Sequence, residues 1–188
     1  MKISRLTILL LAVVSLMLTS CKEGDDMISR RYPCRFHFYQ QMHPTSMIWA
    51  AYRSPGTYVF VYTQVETSKG VSYRYVYVQS CDASTPLERN RIETQIESNV
   101  PYMLGASNEV GLIIGCTNFN GPVAYDRCCP NCTGIYPLAW AENKQRVTCP
   151  SCKRVYDLET GAISSGGEGD ALMRYLISSD DVRLNVTN

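Results

Sequence analysis

Residues 58–78 read YVFVYTQVETSKGVSYRYVYV. The two halves of this segment, 58–65 and 71–78, are rich in aromatic and β-branched residues, which strands prefer. Between them, residues 67–70 read Thr-Ser-Lys-Gly, a sequence typical of a turn. Two such halves around a turn that contains glycine predict an antiparallel β-hairpin.

The tyrosines in the second half alternate along the predicted strand. Tyr73, Tyr75 and Tyr77 therefore share one face of the hairpin, because successive side chains of a strand point to opposite faces. We interpret this tyrosine stripe as cross-strand packing on a half-exposed sheet. A platform that binds a ligand is the alternative.

The segments that follow extend the β pattern, with one exception. Residues 110–115 are mostly apolar and contain two glycines, which predicts a short buried strand, and residues 122–125 predict another. In residues 87–98, Ile92 and Ile96 are four positions apart and charged residues surround them, which predicts a short helix. Together with 13 tyrosines in the chain, these patterns predict an all-β fold.

The composition limits the range of functions. The 188 residues are 45% hydrophobic and 19% charged, with a net charge of +1. These values are typical of one globular domain and exclude a disordered chain or a multi-pass membrane protein. A charge this close to zero gives no concentrated basic surface, so we expect no binding to nucleic acid. The only two histidines, His37 and His43, are interpreted as structural residues of a strand and a turn.

The N-terminus has the pattern of a secretory signal peptide. Lys2 and Arg5 are followed by an apolar run over residues 6–18. This run is shorter than the roughly 20 residues that a membrane-spanning helix needs. We therefore predict a signal peptide over residues 1–20 and, beyond it, a body without a second apolar run of membrane length.

The end of the predicted signal peptide resembles a bacterial lipobox, Leu18-Thr19-Ser20-Cys21. In that motif the cysteine is lipidated, so we predict a lipid on Cys21 and a polar tether over residues 21–33. Acyl chains would hold the protein on a membrane. Lys22 after the cysteine fits the outer membrane, with the domain facing the periplasm or the cell surface. An ordinary signal peptide with an incidental cysteine, or a short uncleaved anchor, is the alternative.

Two C-x-x-C pairs follow the predicted strands. They are Cys129-Pro-Asn-Cys132, here called knuckle 1, and Cys149-Pro-Ser-Cys152, here called knuckle 2. A knuckle is a tight turn that directs two thiolates to one point, and two knuckles on neighbouring hairpins complete a tetrahedron of sulfurs. Cys129, Cys132, Cys149 and Cys152 are therefore candidate ligands of a zinc or iron site. Two disulfides are the alternative.

Four other cysteines of the predicted domain lie outside the knuckles: Cys34, Cys81, Cys116 and Cys128. They allow three pairings if all are bridged. Cys128 directly precedes knuckle 1, so it is either an alternative metal ligand or a buried free thiol.

The sequence around knuckle 2 resembles the Rieske family. Residues 147–161 read VTCPSCKRVYDLETG, and the second motif of that family likewise has Cys-Pro followed by an aromatic residue, Asp and a turn that ends in Gly. Gly166-Gly167 and the strand-like residues 172–177 are similar to the loop and strand that follow in the family. The resemblance is best over residues 110–186 and extends to a group of Bacteroidetes lipoproteins with Rieske-like folds.

This resemblance implies an architecture. It is an all-β, Rieske-like β-sandwich over residues 34–188, with an inserted rubredoxin-like metal-binding cassette of two knuckles at residues 126–161. It also implies that the loop at residues 166–169 lies near the metal.

The chain departs from the Rieske pattern at the ligands. A Rieske cluster uses two cysteines and two histidines, and the histidine positions here hold Asn131 and Cys152. We therefore expect that a ligand shift from position 131 to Cys132 converts the cassette into a mononuclear four-sulfur site. Structural zinc is the predicted metal. A rubredoxin-type iron or a four-cysteine 2Fe–2S cluster is the alternative.

Together these inferences predict an outer-membrane lipoprotein whose Rieske-like domain carries structural zinc and has no enzymatic activity. An iron-sulfur electron-transfer protein of the cell envelope is the first alternative. A surface-binding or assembly component that uses the tyrosine-rich sheet is the second. Beyond the membrane, the sequence indicates no particular partner.

Overall fold

The computed structural model describes residues 28–142 and 144–188. Within these ranges the chain forms thirteen β-strands and two short helices. The predicted signal peptide, the predicted lipidation site Cys21 and the first part of the predicted tether lie outside the described residues.

The strands in chain order are β1 (Cys34–Tyr39), β2 (Thr57–Ser68), β3 (Val71–Ser80), β4 (Glu88–Arg91), β5 (Met103–Leu104), β6 (Leu112–Cys116), β7 (Pro122–Asp126), β8 (Ala139–Trp140), β9 (Arg146–Thr148), β10 (Val155–Asp157), β11 (Ile163–Ser165), β12 (Arg174–Ser179) and β13 (Arg183–Thr187). The helices are α1 (Met47–Arg53) and α2 (Gln95–Ser98). Neither helix, and no other helix in the described ranges, is long and apolar enough to cross a membrane.

The strands form two antiparallel sheets, which confirms the all-β prediction. The main sheet has nine strands in the order β4-β3-β2-β6-β7-β12-β13-β1-β5, and the cassette sheet has four in the order β11-β10-β9-β8. The main sheet changes partners within β12: Arg174 and Tyr175 pair with β7, whereas Leu176 to Ser179 pair with β13.

The central strands of the main sheet are buried on both faces. In β2, Val59 and Val61 point into a core that also contains α1, while Tyr58 and Phe60 point into a second core shared with the cassette. β6 and β7 alternate in the same way. Strands covered on both faces are apolar at consecutive positions, which explains the unbroken apolar run at residues 112–114.

The predicted hairpin and the two predicted strands are confirmed. β2 and β3 pair from Val59–Ser80 to Ser68–Val71. The turn residues Lys69 and Gly70 have φ of 51° and 79°, as the type I′ turns of two-residue hairpins require.

The predicted helix over residues 87–98 is wrong in its first part. Residues 88–91 form the edge strand β4, which pairs with Tyr75 to Val78 of β3. Only Gln95–Ser98 is helical, because the side chains and backbone of Thr94 and Glu97 form a capping box that starts a helix there. Ile96 is 56% exposed, so its spacing from Ile92 does not mark a buried helix face.

The tyrosine stripe packs against neighbouring strands, as the packing interpretation predicts. Two of its rings are covered by guanidinium groups of β4. The guanidinium carbon lies 3.8 Å from the ring centroid for Arg91 over Tyr73, and 3.7 Å for Arg89 over Tyr75. The third ring, Tyr77, stacks on Tyr62 of β2 with 5.3 Å between the ring centroids. Stacked guanidinium groups and offset rings stabilise such a face.

Candidate metal centre

The structure brings the four knuckle cysteines together. Their Sγ atoms all lie within 4.8 Å of one another, and no other His, Cys, Asp or Glu cluster in the described residues could hold a metal. Across the two knuckles, Cys129 and Cys152 are 3.7 Å apart, and so are Cys132 and Cys149. A disulfide requires about 2.05 Å, so the knuckles are not bridged in this arrangement.

Knuckle 1 lies between β7 and β8. The backbone N–H of Cys129 donates to the carbonyl of Tyr136 at 2.9 Å, and that of Leu138 donates to Arg127 at 2.8 Å. A bridge between Cys128 and Pro137 continues this pairing. The knuckle is therefore the closed end of a narrow antiparallel loop, which holds both of its sulfurs on one side.

Knuckle 2 is the turn of the β9–β10 hairpin. Cys149 N–H donates to the carbonyl of Arg154 at 2.9 Å, and Lys153 N–H donates back to Cys149 at 3.0 Å. Lys153 has φ of 62°, in the left-handed region that side chains other than glycine rarely adopt. This backbone reverses the chain directly after Cys152.

The cassette packs on the face of the main sheet that carries Tyr58 and Phe60. Its side of the shared core contains Cys129, Leu138, Val147, Cys149 and Tyr156. Cys129 and Cys149 are buried, whereas Cys132 and Cys152 are partly exposed. One edge of the site therefore faces solvent and the other faces the apolar core.

The spacing of the sulfurs fits a tetrahedral metal. With zinc–sulfur bonds of about 2.3 Å, tetrahedral geometry places sulfurs about 3.8 Å apart. Two contacts between the knuckles, Cys129–Cys152 and Cys132–Cys149, are both 3.7 Å and match this value. Four cysteines in this arrangement could hold a metal ion, and thiolate sets of this kind suit zinc or iron.

The thiols differ in acidity because their surroundings differ. Burial raises the pKa of Cys129 to about 12, against the opposing effect of hydrogen bonds from Tyr156 and the Asn131 backbone. At Cys152, burial also acts to raise the pKa, but hydrogen bonds from the backbone and guanidinium of Arg154 outweigh it and lower the pKa to about 6. Because a metal binds thiolates, its binding would have to displace the proton held by Cys129.

Polar side chains behind knuckle 1 organise the site. The Tyr156 hydroxyl lies 3.3 Å from Cys129 Sγ, and Asn131 Nδ2 donates to that hydroxyl at 2.9 Å. Asn131 also exchanges two hydrogen bonds with the Asp170 backbone, at 2.7 and 2.8 Å. Asn131, which the Rieske resemblance predicts at a histidine position, therefore supports the site without joining the sulfurs.

The glycine loop at residues 166–169 lies beside the knuckles. Arg154, which contacts Cys152, donates to the carbonyl of Glu168 through Nε and Nη2 at 3.0 and 2.9 Å. The loop therefore lies next to knuckle 2, on the side where the Rieske resemblance would place it.

Cys128 is not part of the sulfur cluster. It is buried, and its Sγ lies 3.8 Å and 3.9 Å from the carbonyl oxygens of Cys129 and Gly134. All eight cysteines in the described ranges are free thiols, including Cys34, Cys81 and Cys116.

A pair of side chains that sequence reasoning missed lies on the other side of the main sheet. His43 Nε2 is 2.7 Å from Glu97 Oε1, and both side chains are largely buried. The two residues are 54 positions apart in the chain, so no local pattern could connect them. The pair joins the loop after β1 to α2.

Residues 28–33, here called the entry segment, belong to the predicted tether but contact the domain. Ser29 N–H donates to the Arg174 carbonyl at 2.7 Å. Arg31 Nη1 donates to the carbonyl of Pro130, inside knuckle 1, at 2.9 Å.

No family model, curated protein or solved structure matches this chain. The resemblance to the Rieske family stays a prediction from the sequence.

Proposed function

We propose that this protein is an envelope lipoprotein whose Rieske-like domain carries a mononuclear four-cysteine metal site, with zinc in a structural role. One observation carries the proposal: four sulfurs from two knuckles converge within 4.8 Å of one another. That arrangement is what a tetrahedral thiolate site requires.

The sulfur distances favour one metal ion over a 2Fe–2S cluster. A two-iron cluster assigns two thiolates to each of two separate irons, which keeps the two pairs of sulfurs apart. Here all four sulfurs lie within 4.8 Å of one another, so no pair of sulfurs is held apart from the other pair. A single central ion accounts for all of these distances.

A structural role follows from the closed ligand set. Four protein thiolates occupy all four coordination positions of a tetrahedral zinc ion. No position is left for substrate or water, so such a site supplies no Lewis-acid chemistry. The cassette strands are only two or three residues long. Metal binding would therefore add to the stability of a small subdomain, as it does in other small metal-binding domains.

The envelope location rests on the sequence of residues 1–27. The short apolar run and the lipobox-like residues before Cys21 support export and lipidation, with attachment to the outer membrane.

An electron-transfer protein with a rubredoxin-type iron is the second candidate. It is favoured by the partial exposure of Cys132 and Cys152, which would bring the centre close to a redox partner. Hydrogen bonds to the sulfurs, such as that from Tyr156 to Cys129, also tune reduction potentials in iron–sulfur sites.

Elemental analysis with a visible spectrum tests both candidates, on protein purified anaerobically from its native host. About one zinc per chain and no colour would support the structural role. Iron with charge-transfer bands would establish the electron carrier instead, and acid-labile sulfide would distinguish a cluster from a single iron. Protein without metal would contradict both candidates.

A further inference from the structure

The entry segment reaches the metal centre through one side chain. Arg31 Nη1 donates to the carbonyl oxygen of Pro130 at 2.9 Å. Pro130 lies between Cys129 and Cys132 in knuckle 1. The hydrogen bond therefore acts on the backbone that orients two of the four sulfurs.

The entry segment is held in place on both sides of Arg31. Before it, Ile28 forms a parallel bridge with Arg174 of β12, and the Ser29 N–H donates to the same residue. After it, Asn188 Nδ2 donates to the carbonyl of Tyr32 at 2.7 Å, and also to that of Ser29 at 2.9 Å. Arg31 thus projects from a segment whose path is set by β12 and by the last residue of the chain.

A cavity of about 260 Å³ lies between the entry segment, Pro130 and residues 170–174. The segment and the knuckle are therefore not packed tightly against each other along their length. The Arg31 hydrogen bond is a direct polar connection across this gap.

We propose that Arg31 is a positioning residue of the metal centre, so that metal binding and attachment of the entry segment stabilise one another. The inference rests on the proposed function, because it requires a metal at the four cysteines. A zinc ion with four thiolates carries a net negative charge, and the positively charged Arg31 is hydrogen-bonded to the knuckle that supplies two of these thiolates. Residues that orient metal ligands typically change metal affinity by about 10- to 100-fold when they are replaced.

The coupling is reciprocal by thermodynamic necessity. If attachment of the segment strengthens metal binding, metal binding must strengthen attachment by the same factor. Residues 22–27 join Cys21 to this segment. The proposed lipid anchor would therefore connect to the domain at its metal centre.

Zinc affinity of the full chain in detergent, measured by competition with a chromophoric chelator, tests the proposal. We expect Arg31→Ala to weaken zinc binding about tenfold or more. Arg30→Ala is the matched control, because it removes the same charge one position away, and the Arg30 side chain, exposed like that of Arg31, makes no hydrogen bond to knuckle 1 in the described residues. Asn188→Ala should also weaken binding, since it loosens the segment without changing a charge or touching the knuckle.

Hydrogen exchange of the wild-type chain supplies a second readout. The Ser29 amide, which is bonded to Arg174, should exchange faster after zinc is removed, while amides of the β2–β3 hairpin should not. This measurement decides the question even if Arg31→Ala fails to fold.

The outcomes separate this inference from the proposed function. Wild-type protein that binds no zinc would overturn both. Zinc-binding wild type with equal affinities in Arg31→Ala and Arg30→Ala, or with unchanged Ser29 exchange, would overturn the positioning role alone.

Discussion

The carboxylate of Glu159 accepts hydrogen bonds from the backbone N–H and the side-chain amide of Asn118, at 2.8 and 3.1 Å. Its second oxygen accepts the N–H of Phe119 at 3.0 Å. Glu159 lies in the turn between β10 and β11, and the two donor residues lie in the turn between β6 and β7. One side chain therefore connects the cassette to the main sheet.

Glu159→Gln should destabilise the protein through this connection. The side-chain NH2 of the glutamine would face the N–H donors of Asn118 or Phe119, so at least one hydrogen bond would be lost. The remaining hydrogen bonds would stabilise the fold less, because their acceptor would no longer be charged. Because Glu159 is partly exposed, we expect the free energy of unfolding to fall by about 1–2 kcal/mol. Urea unfolding measures the change. Glu109→Gln, at an exposed carboxylate without a partner in the described ranges, is the control and should change stability by less than about 0.5 kcal/mol.

Cys149→Ser should release the metal and loosen the cassette while the main sheet stays folded. Cys149 is fully buried between the cluster and the shared core, and a serine hydroxyl is a poor replacement for a thiolate ligand. Elemental analysis should show loss of metal, and hydrogen exchange should become faster in β8 to β11 but not in β2 and β3. Cys81→Ser, outside the cluster, should keep its metal. Unchanged metal content in Cys149→Ser would show that the ligand assignment is wrong.

Tyr156→Phe should weaken the metal site without removing a ligand. It deletes the hydroxyl 3.3 Å from Cys129 Sγ and leaves Asn131 without one of its acceptors. We expect zinc affinity to fall about tenfold in a chelator competition. Tyr136→Phe removes a hydroxyl from a half-exposed ring next to knuckle 1 and should leave affinity unchanged. Equal affinities in the two variants would rule out a role for the Tyr156 hydroxyl.

His37 should make the protein less stable in mild acid. Burial lowers the pKa of His37 below its usual 6.5, so the unfolded chain takes up a proton there before the folded chain does. The free energy of unfolding should therefore decrease as the pH falls below about 6.5, by at most about 1.4 kcal/mol per pH unit. Unfolding by urea at several pH values measures this slope.

His37→Phe is the comparison for that slope. Phenylalanine keeps the ring that packs 5.0 Å from Tyr102, and it removes Nε2, which is buried without a hydrogen-bond partner in the described residues. The pH dependence of the variant should be flatter than that of the wild type below pH 6.5 and the same above pH 7. Parallel curves throughout would assign the acid sensitivity to another group.

The local sequence was sufficient to predict those features of the fold that arise from interactions between neighbouring residues. The β2–β3 hairpin follows from side-chain alternation and from Gly70, which adopts the positive φ of the turn. The consecutive apolar residues of β6 likewise predicted a buried strand, because such a run suits a strand that is covered on both faces. The two C-x-x-C pairs likewise predicted the four residues whose sulfurs converge, because each knuckle needs only four consecutive residues.

The first part of the predicted helix over residues 87–98, which is the strand β4, shows the limit of local reasoning. The charged residues of β4 suit either a helix surface or an exposed sheet edge. These residues form a strand because their backbone groups pair with β3. The sequence of β4 alone does not indicate that β3 is available as a partner.

The sequence by itself determined the β class, the central hairpin and the identity of the four clustered cysteines. Only the tertiary structure decided that Asn131 holds Tyr156 and Asp170, that Glu97 meets His43, and that Arg31 reaches knuckle 1. The physical reason is distance along the chain. Turns and alternation arise from neighbouring residues, whereas the partner of a buried polar side chain depends on which distant strands the fold brings together.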